Sequence, residues 1–120
     1  MRLLIIGGTG HFSGRITECA VAAGHEVTLY NRGRRPIPVG AGLIQGERDD
    51  LRAHADEIAA FGPEAVVDSI CYQPHQAEHL AALFSRVRRL VFRLAVGARR
   101  GARRFFRRER TRRWQLTPTH

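Results

Sequence analysis

Thirteen residues near the amino terminus, R-L-L-I-I-G-G-T-G-H-F-S-G (residues 2–14), constrain the fold more than any other stretch. Four consecutive apolar residues, Leu3 to Ile6, predict a short strand that is buried on both faces, as in a parallel sheet. A glycine-rich turn follows, and a helical pattern begins at Ser13. Strand, glycine turn and helix in this order are typical of dinucleotide binding, because the glycines let the backbone approach a pyrophosphate and the helix N–H groups face its charge.

The glycine pattern departs from the usual fingerprint at its third position, where Ser13 stands in place of glycine. The third glycine mainly allows the helix to pack closely on the strand, and serine is small enough to approximate it. A glycine turn that binds no ligand is the alternative, and the residues alone leave it open.

Strand and helix patterns alternate beyond this turn. Helices are predicted from Ser13 to Ala23, after Asp50 and after Pro74, and Asp49 or Asp50 is placed to cap the second of them. Further strands are predicted near residues 27–30, 43–46, 65–68 and 88–92. The alternation predicts an α/β fold, a partial Rossmann fold with a parallel sheet of four to five strands and flanking helices.

Charge divides the chain into two unlike parts. Residues 1–92 contain ten arginines and ten acidic residues, whereas residues 93–120 contain ten arginines and one acid, Glu109, and so carry the whole net charge of +9. The chain has no lysine. We therefore expect an incomplete nucleotide-binding domain over residues 1–92 and an Arg-rich, irregular tail over residues 93–120, either disordered or translated out of frame.

The end of the second predicted strand bears on the choice of cofactor. NAD-binding domains place an acid there to bind the ribose 2′-hydroxyl, but this strand ends Y-N-R-G-R-R (residues 30–35) and has none. Arg32 can instead hold a 2′-phosphate through a bidentate, charge-assisted pair. The sequence favours NADP, with NAD possible; the alternative is that Arg32, Arg34 and Arg35 form a solvated loop cluster.

Five segments in the same order resemble the NAD-dependent epimerase/dehydratase family, the extended short-chain dehydrogenase/reductase group. They are L-L-I-I-G-G-T-G-H-F-S (3–13), A-G-H-E-V-T-L-Y-N-R-G (23–33), G-E-R-D-D-L (46–51), V-V-D-S-I-C-Y (66–72) and V-R-R-L-V-F (87–92). The resemblance covers residues 1 to about 92 and implies the amino-terminal part of a Rossmann domain.

The resemblance also implies where a dinucleotide would bind. The residues expected around the pyrophosphate are Gly7, Thr9, Gly10, His11, Phe12 and Ser13. Asn31 and Arg32 are expected at the adenosine ribose and any 2′-phosphate. Asp50 and Leu51 are expected to border the adenine, although a helix-capping role for Asp50 remains open. Ser69 and Ile70 are expected to line the cofactor at the end of the fourth strand.

The chain leaves the family pattern abruptly at Arg93. Catalysis in this family uses a later Tyr-x-x-x-Lys pair, in which the lysine lowers the tyrosine pKa, and a Ser or Thr just past the fifth strand. Neither is present: there is no lysine, Tyr30 and Tyr72 come too early, and the fifth strand continues R-L-A-V-G (93–97). The resemblance thus implies an NAD(P)-binding fragment without catalytic activity of its own. The all-arginine composition suggests a frameshift near residue 93 in a GC-rich gene, or a truncation.

The remaining expectations concern partners and location. A nucleotide sugar is the substrate class that the resemblance suggests, and the exposed last strand favours self-association. Phe105, Phe106 and Trp114 lie among the tail arginines, so the alternative function is a nucleic-acid-binding module. No signal peptide, membrane-spanning stretch or metal-ligand cluster is evident, and we expect a cytoplasmic protein.

Overall fold

The computed structural model describes residues 1–71, 74–94, 106–108 and 114–116. A 3-10 helical segment, Arg48–His54, precedes the second α helix. The remaining elements, in chain order, are β1 (Arg2–Ile6), α1 (His11–Ala22), β2 (Glu26–Asn31), β3 (Ala41–Gln45), α2 (Ala55–Phe61), β4 (Ala65–Cys71), α3 (Pro74–Leu83), β5 (Arg89–Leu94), β6 (Phe106–Arg108) and β7 (Trp114–Leu116).

The first five strands form one parallel sheet in the order β3-β2-β1-β4-β5. The chain runs from β1 outward through β2 to β3, and then crosses to the other side of β1 for β4 and β5. This confirms the predicted α/β fold with a five-stranded parallel sheet. Because the strand order reverses between β1 and β4, a crevice opens at their carboxyl ends, which is where open α/β sheets bind ligands.

Both faces of the sheet are covered near its centre, as the uninterrupted apolar run of β1 predicts. On one face Leu4 and Ile6 pack with Val66, Leu80 and Phe84, and so against α3. On the other face the buried residues are Ile5, Val27 and Leu29, with Ile16 of α1 packed against them. Successive residues of β1 therefore pack alternately into the core layer on one face of the sheet and the core layer on the other face.

Two helix starts differ from the sequence prediction. Helix α1 begins at His11 instead of Ser13, because Gly10 is its N-cap and its N–H donates to Ser13 Oγ at 3.0 Å. The predicted aspartate cap of the second helix is wrong: His54 is the N-cap of α2 and Glu47 that of the 3-10 segment, and neither makes a side-chain cap bond. Asp49 and Asp50 instead lie in the first turn of that segment, where a carboxylate interacts favourably with the positive end of the helix dipole.

Strand β5 extends to Leu94, and β6 and β7 form a separate antiparallel pair. Most of residues 93–120 lie outside the described part of the chain, so the expectations of a disordered or frameshifted tail stay predictions.

No described helix is long and apolar enough to cross a membrane.

Candidate functional site

The turn after β1 requires glycine at position 8 for two independent reasons. Gly8 has a φ of 85°, a conformation that residues with side chains rarely adopt. A Cβ atom at this position would lie 2.5 Å from Leu29 Cδ2 and 3.0 Å from Thr17 Oγ1. The turn is therefore pressed directly against β2 and α1, which brings its backbone to the carboxyl edge of the sheet.

Side-chain hydrogen bonds hold the carbonyl groups of this turn. Thr17 Oγ1, which is fully buried, lies 2.9 Å from the Gly8 carbonyl and donates to it, with the Ser13 carbonyl at 3.0 Å as the other acceptor. Asn31 Nδ2 donates to the Gly7 carbonyl at 2.8 Å. The turn carbonyls thus bond to the protein, while the first N–H groups of α1 lack intrahelical acceptors. The pyrophosphate contacts expected of Gly7, Thr9, Gly10, His11, Phe12 and Ser13 stay predictions.

A further hydrogen bond connects β1 and β4 at the crevice between them. Ser69 Oγ donates to the Ile6 carbonyl at 2.7 Å, joining the last residue of β1 to the carboxyl half of β4. The structure therefore brings the glycine turn and Ser69 together at the switch point. The lining role expected for Ser69 and Ile70 stays a prediction.

The loop after β2 leaves its arginine side chains exposed. The Arg32 carbonyl accepts from Gln45 Nε2 at 3.1 Å, and the Gly33 N–H donates to Asn31 Oδ1 at 2.8 Å, so the start of the loop is tied to β2 and β3. The Arg32 side chain forms no ion pair within residues 1–71 and 74–94. Its guanidinium is therefore available to an anionic ligand.

Comparison with known proteins agrees with this geometry. No protein-family model matches the chain. The 2′-dehydrokanamycin reductase of Streptomyces kanamyceticus is 32% identical over 79 residues, which is 64% of this chain and 22% of that protein. Among solved structures, the Bordetella bronchiseptica enzyme WbmG in complex with NAD and UDP matches with a TM-score of 0.64 and 24% identity. The UDP-glucose 4-epimerase of Thermotoga maritima matches with a TM-score of 0.65 and 15% identity.

The chain has the fold of the NAD-dependent epimerases and dehydratases. The match covers 77% of this chain, and it spans only 36% of WbmG and 37% of the Thermotoga epimerase. At these identities the likeness establishes the fold, which confirms that part of the resemblance. The activities of the longer enzymes belong to those enzymes.

Within this fold, the two residues expected at the adenine differ in exposure. Asp50 is exposed, whereas Leu51 is buried in the core cluster of the α3 face. Glu47, which follows β3 by two residues, is exposed, and its carbonyl accepts from Tyr30 Oη at 2.7 Å. The adenine contacts of Asp50 and Leu51 stay predictions, and the side chain of Leu51 is committed to packing.

A buried ion pair at the middle of β4, level with the last residue of β1, was not predicted from the sequence. Arg48 Nη2 contacts Asp68 Oδ2 at 2.5 Å, with the Asp68 side chain fully buried and that of Arg48 12% exposed. The same nitrogen lies 3.4 Å from the Gln76 carbonyl, so Arg48 joins the segment after β3 to β4 and α3. The signal was the acid itself: a carboxylate in a strand buried on both faces needs a charged or hydrogen-bonding partner.

Two other features bear on chemistry. The hydrogen bond of Thr17 to the Gly8 carbonyl was also not predicted from the sequence. The signal that could have revealed it is a hydroxyl residue on the buried face of a predicted amphipathic helix. Among the described residues, no three His, Cys, Asp or Glu side chains are grouped so that they could hold a metal ion.

Proposed function

We propose that the chain binds a nicotinamide dinucleotide at the carboxyl edge of its sheet and, by itself, catalyses no reaction. The observation that carries this proposal is the glycine turn, whose carbonyls bond to Thr17 and Asn31 while the first N–H groups of α1 lack intrahelical acceptors. The complex of WbmG with NAD supports the class of cofactor. In this proposal residues 7–13 surround the pyrophosphate.

We further propose that the preferred cofactor is NADP. No carboxylate stands at the end of β2, where Asn31 already bonds to Gly7 and Gly33. Arg32 follows immediately and is exposed without an ion-pair partner in the described chain. A guanidinium in this place favours a ribose that carries a 2′-phosphate.

The absence of catalysis is proposed from the residues that could move a proton. The chain has no lysine to lower a tyrosine pKa. Tyr30 is buried and donates its hydroxyl to the Glu47 carbonyl, so it supports the fold. A nucleotide sugar is the proposed substrate class of a complete enzyme of this type, supported by the UDP and UDP-glucose complexes of the structural relatives.

Titration calorimetry of the purified chain with NADPH and NADH tests the proposal. We expect both to bind and NADPH to bind more tightly. In Gly10→Asp the new carboxylate should abolish binding by repelling the pyrophosphate, while the helix survives because aspartate is a good N-cap. Gly10→Asn is the matched control: it adds the same bulk without charge, so its loss of affinity should be smaller. A folded wild-type chain that binds neither nucleotide would overturn the proposal.

A nucleic-acid-binding tail is a second candidate, since ten of the twenty arginines lie between residues 93 and 120. Phosphate contacts predict that affinity for a single-stranded oligonucleotide falls steeply with salt. Fluorescence anisotropy with two unrelated sequences separates selective binding from general charge attraction. Equal affinity for both sequences at every salt concentration would leave only charge attraction.

Self-association is proposed for the open edge of the sheet. On β5, Val91 is 55% exposed, and within the described part of the chain no strand pairs with the outer edge of β5. Sedimentation velocity over a range of concentrations tests this, and a single monomeric species throughout would rule it out.

A further inference from the structure

Strand β3 forms an open edge of the main sheet, and nothing in its sequence protects that edge. Within the described part of the chain, no strand pairs with its outer side. Edge strands of soluble proteins commonly carry charged residues, a proline or a bulge, which prevent pairing with another chain. Residues 39–46, V-G-A-G-L-I-Q-G, contain no charged residue and no proline, and the register of β3 with β2 runs without a bulge. The edge is therefore competent to pair with a further strand.

Apolar side chains are exposed along the same edge. Leu43 is 38% exposed although it lies in the middle of β3, and Val39, just before the strand, is 97% exposed. A further strand beside β3 would remove part of this apolar surface from water. The opposite edge of the sheet differs, because β5 contains two charged residues, Arg89 and Arg93. Of the two open edges, β3 is the one with less protection against pairing.

The backbone of β3 suits pairing with an identical strand. The Gly46 N–H donates to the Asn31 carbonyl of β2 at 2.9 Å. In a parallel ladder both backbone groups of one residue point to the same side, and successive residues alternate, so those of Leu43 and Gln45 point away from β2. A second β3 that runs antiparallel about a two-fold axis at Leu43 can exchange both hydrogen bonds of this residue with its copy. The Gln45 N–H then meets the Ala41 carbonyl of the second copy.

Net charge does not oppose association at this edge. Residues 1–92 contain equal numbers of arginines and acidic residues, and the excess positive charge lies in residues 93–120. That segment begins in β5, four strands away from β3, which is about 19 Å at roughly 4.8 Å per strand. The screening length at physiological salt is only about 8 Å. Two copies joined through β3 therefore have their charged segments attached at opposite ends of the combined sheet.

We infer that β3 is a docking surface for a second copy of this chain, which pairs with it antiparallel about a two-fold axis at Leu43. The product is a continuous sheet of ten strands, five from each copy. The inference adds a surface and a register to the self-association proposed for the β5 edge. It does not depend on the proposed nucleotide binding, since no residue of β3 is among those proposed to bind the cofactor. Because a single pair of short strands makes a small interface, we expect a weak, concentration-dependent dimer.

Sedimentation velocity of the full chain over a range of concentrations tests the inference. Leu43→Lys should weaken dimer formation by at least about 10-fold, because it places like charges opposite each other at the axis and removes an apolar contact. Leu43→Glu should have the same effect for the same reason. An equimolar mixture of the two variants should dimerise again, because a lysine then faces a glutamate across the axis. This recovery separates loss of the interface from loss of the fold.

Val91→Lys is the matched control, because it adds the same charge at an exposed position of the opposite edge. It should leave the β3 dimer intact. Association lost in Val91→Lys but kept in Leu43→Lys would place the contact at β5 and overturn the inference. Equal weakening in both variants, or no recovery in the mixture, would also overturn it. A wild-type chain that stays monomeric would show that no second copy occupies this edge, and its binding of NADPH would still uphold the proposed function.

Discussion

Strands β1 and β4 lie side by side, yet the turn after β1 and the adjacent middle of β4 are held by different chemistry. The turn after β1 is held by neutral hydrogen bonds from Thr17 and Asn31 to backbone carbonyls. The middle of β4, level with the last residue of β1, is held by the buried ion pair of Arg48 and Asp68. Neutral bonds to carbonyls leave the positive end of α1 uncompensated and ready for an anion, whereas the ion pair balances its own charge. The two neighbours of the crevice thus differ in charge balance: the turn after β1 adjoins a positive helix end, and β4 carries a neutralised pair.

The largest effect that would sharpen this contrast is expected at the ion pair. Asp68→Asn leaves the largely buried Arg48 charge without a counter-charge, which should lower the free energy of unfolding by about 3–5 kcal/mol. Urea denaturation measures this loss. Glu64→Gln is the control, because the Arg2–Glu64 pair is exposed, with side chains 47% and 30% accessible, and such pairs contribute about 0–1 kcal/mol.

The double variant Arg48→Met/Asp68→Leu separates charge from packing in the same comparison. Replacing both partners by apolar residues removes the desolvation cost, so most of the stability lost in Asp68→Asn should return. The contrast between the two regions fails if Asp68→Asn costs no more than Glu64→Gln in the same assay.

The next largest effect is expected at Gly8 in the turn after β1. Gly8→Ala should destabilise the fold by about 2–4 kcal/mol, combining backbone strain with overpacking against Leu29. Gly24→Ala provides the control: its φ is 88°, but nothing lies within 4 Å of an added Cβ, so only the strain remains. Equal melting temperatures for the two variants would show that close packing at Gly8 contributes nothing.

A smaller effect is expected from the hydroxyl group that holds the turn. Thr17→Val keeps the volume but removes the donor to the Gly8 carbonyl, which should cost about 1–2 kcal/mol in thermal or urea unfolding. NADPH affinity should fall as well, because the turn is no longer held. Thr17→Ser retains the hydroxyl and should restore both properties; a serine variant as impaired as the valine variant would contradict this role.

The smallest effect is expected at Tyr30, and it depends on pH. Burial, together with the carboxylates of Asp50 and Glu47, raises the pKa of Tyr30 to about 12. Since the folded-state pKa is the higher one, the contribution of Tyr30 to stability is complete below about pH 10 and is lost as the pH rises towards 12.

Tyr30→Phe should cost about 1 kcal/mol at pH 7, through its lost bond to the Glu47 carbonyl, and should reduce the fall in stability between about pH 10 and 12. Urea midpoints measured across that range test this. Parallel pH curves for the two proteins would refute the assignment.

Much of the fold could be predicted because the signals were local. The apolar run of β1, the glycines after it and Pro74 at the first position of α3 each predicted the element that the structure contains. Element ends were less predictable: α1 starts at His11 because Ser13 bonds back to Gly10, a detail of hydrogen bonding that apolar periodicity does not carry.

The site was predictable only in its backbone part. Glycine at position 8 follows from a general requirement of the turn, but Thr17 and Arg48 were missed because their roles depend on what lies opposite them. The sequence placed Asp50 at the second helix cap or at the adenine, whereas the structure makes Glu47 the N-cap of the segment that follows β3.

By itself the sequence determined the alternation of strands and helices, the glycine turn and the concentration of the net positive charge in residues 93–120. These follow from side-chain period, backbone freedom and charge, which are properties of short stretches. Only the tertiary structure decided that Arg48 meets Asp68 and that the loop at Pro36 faces Arg15 across a cavity. Such contacts join residues distant in the chain, and they depend on which strands lie next to each other in the parallel sheet.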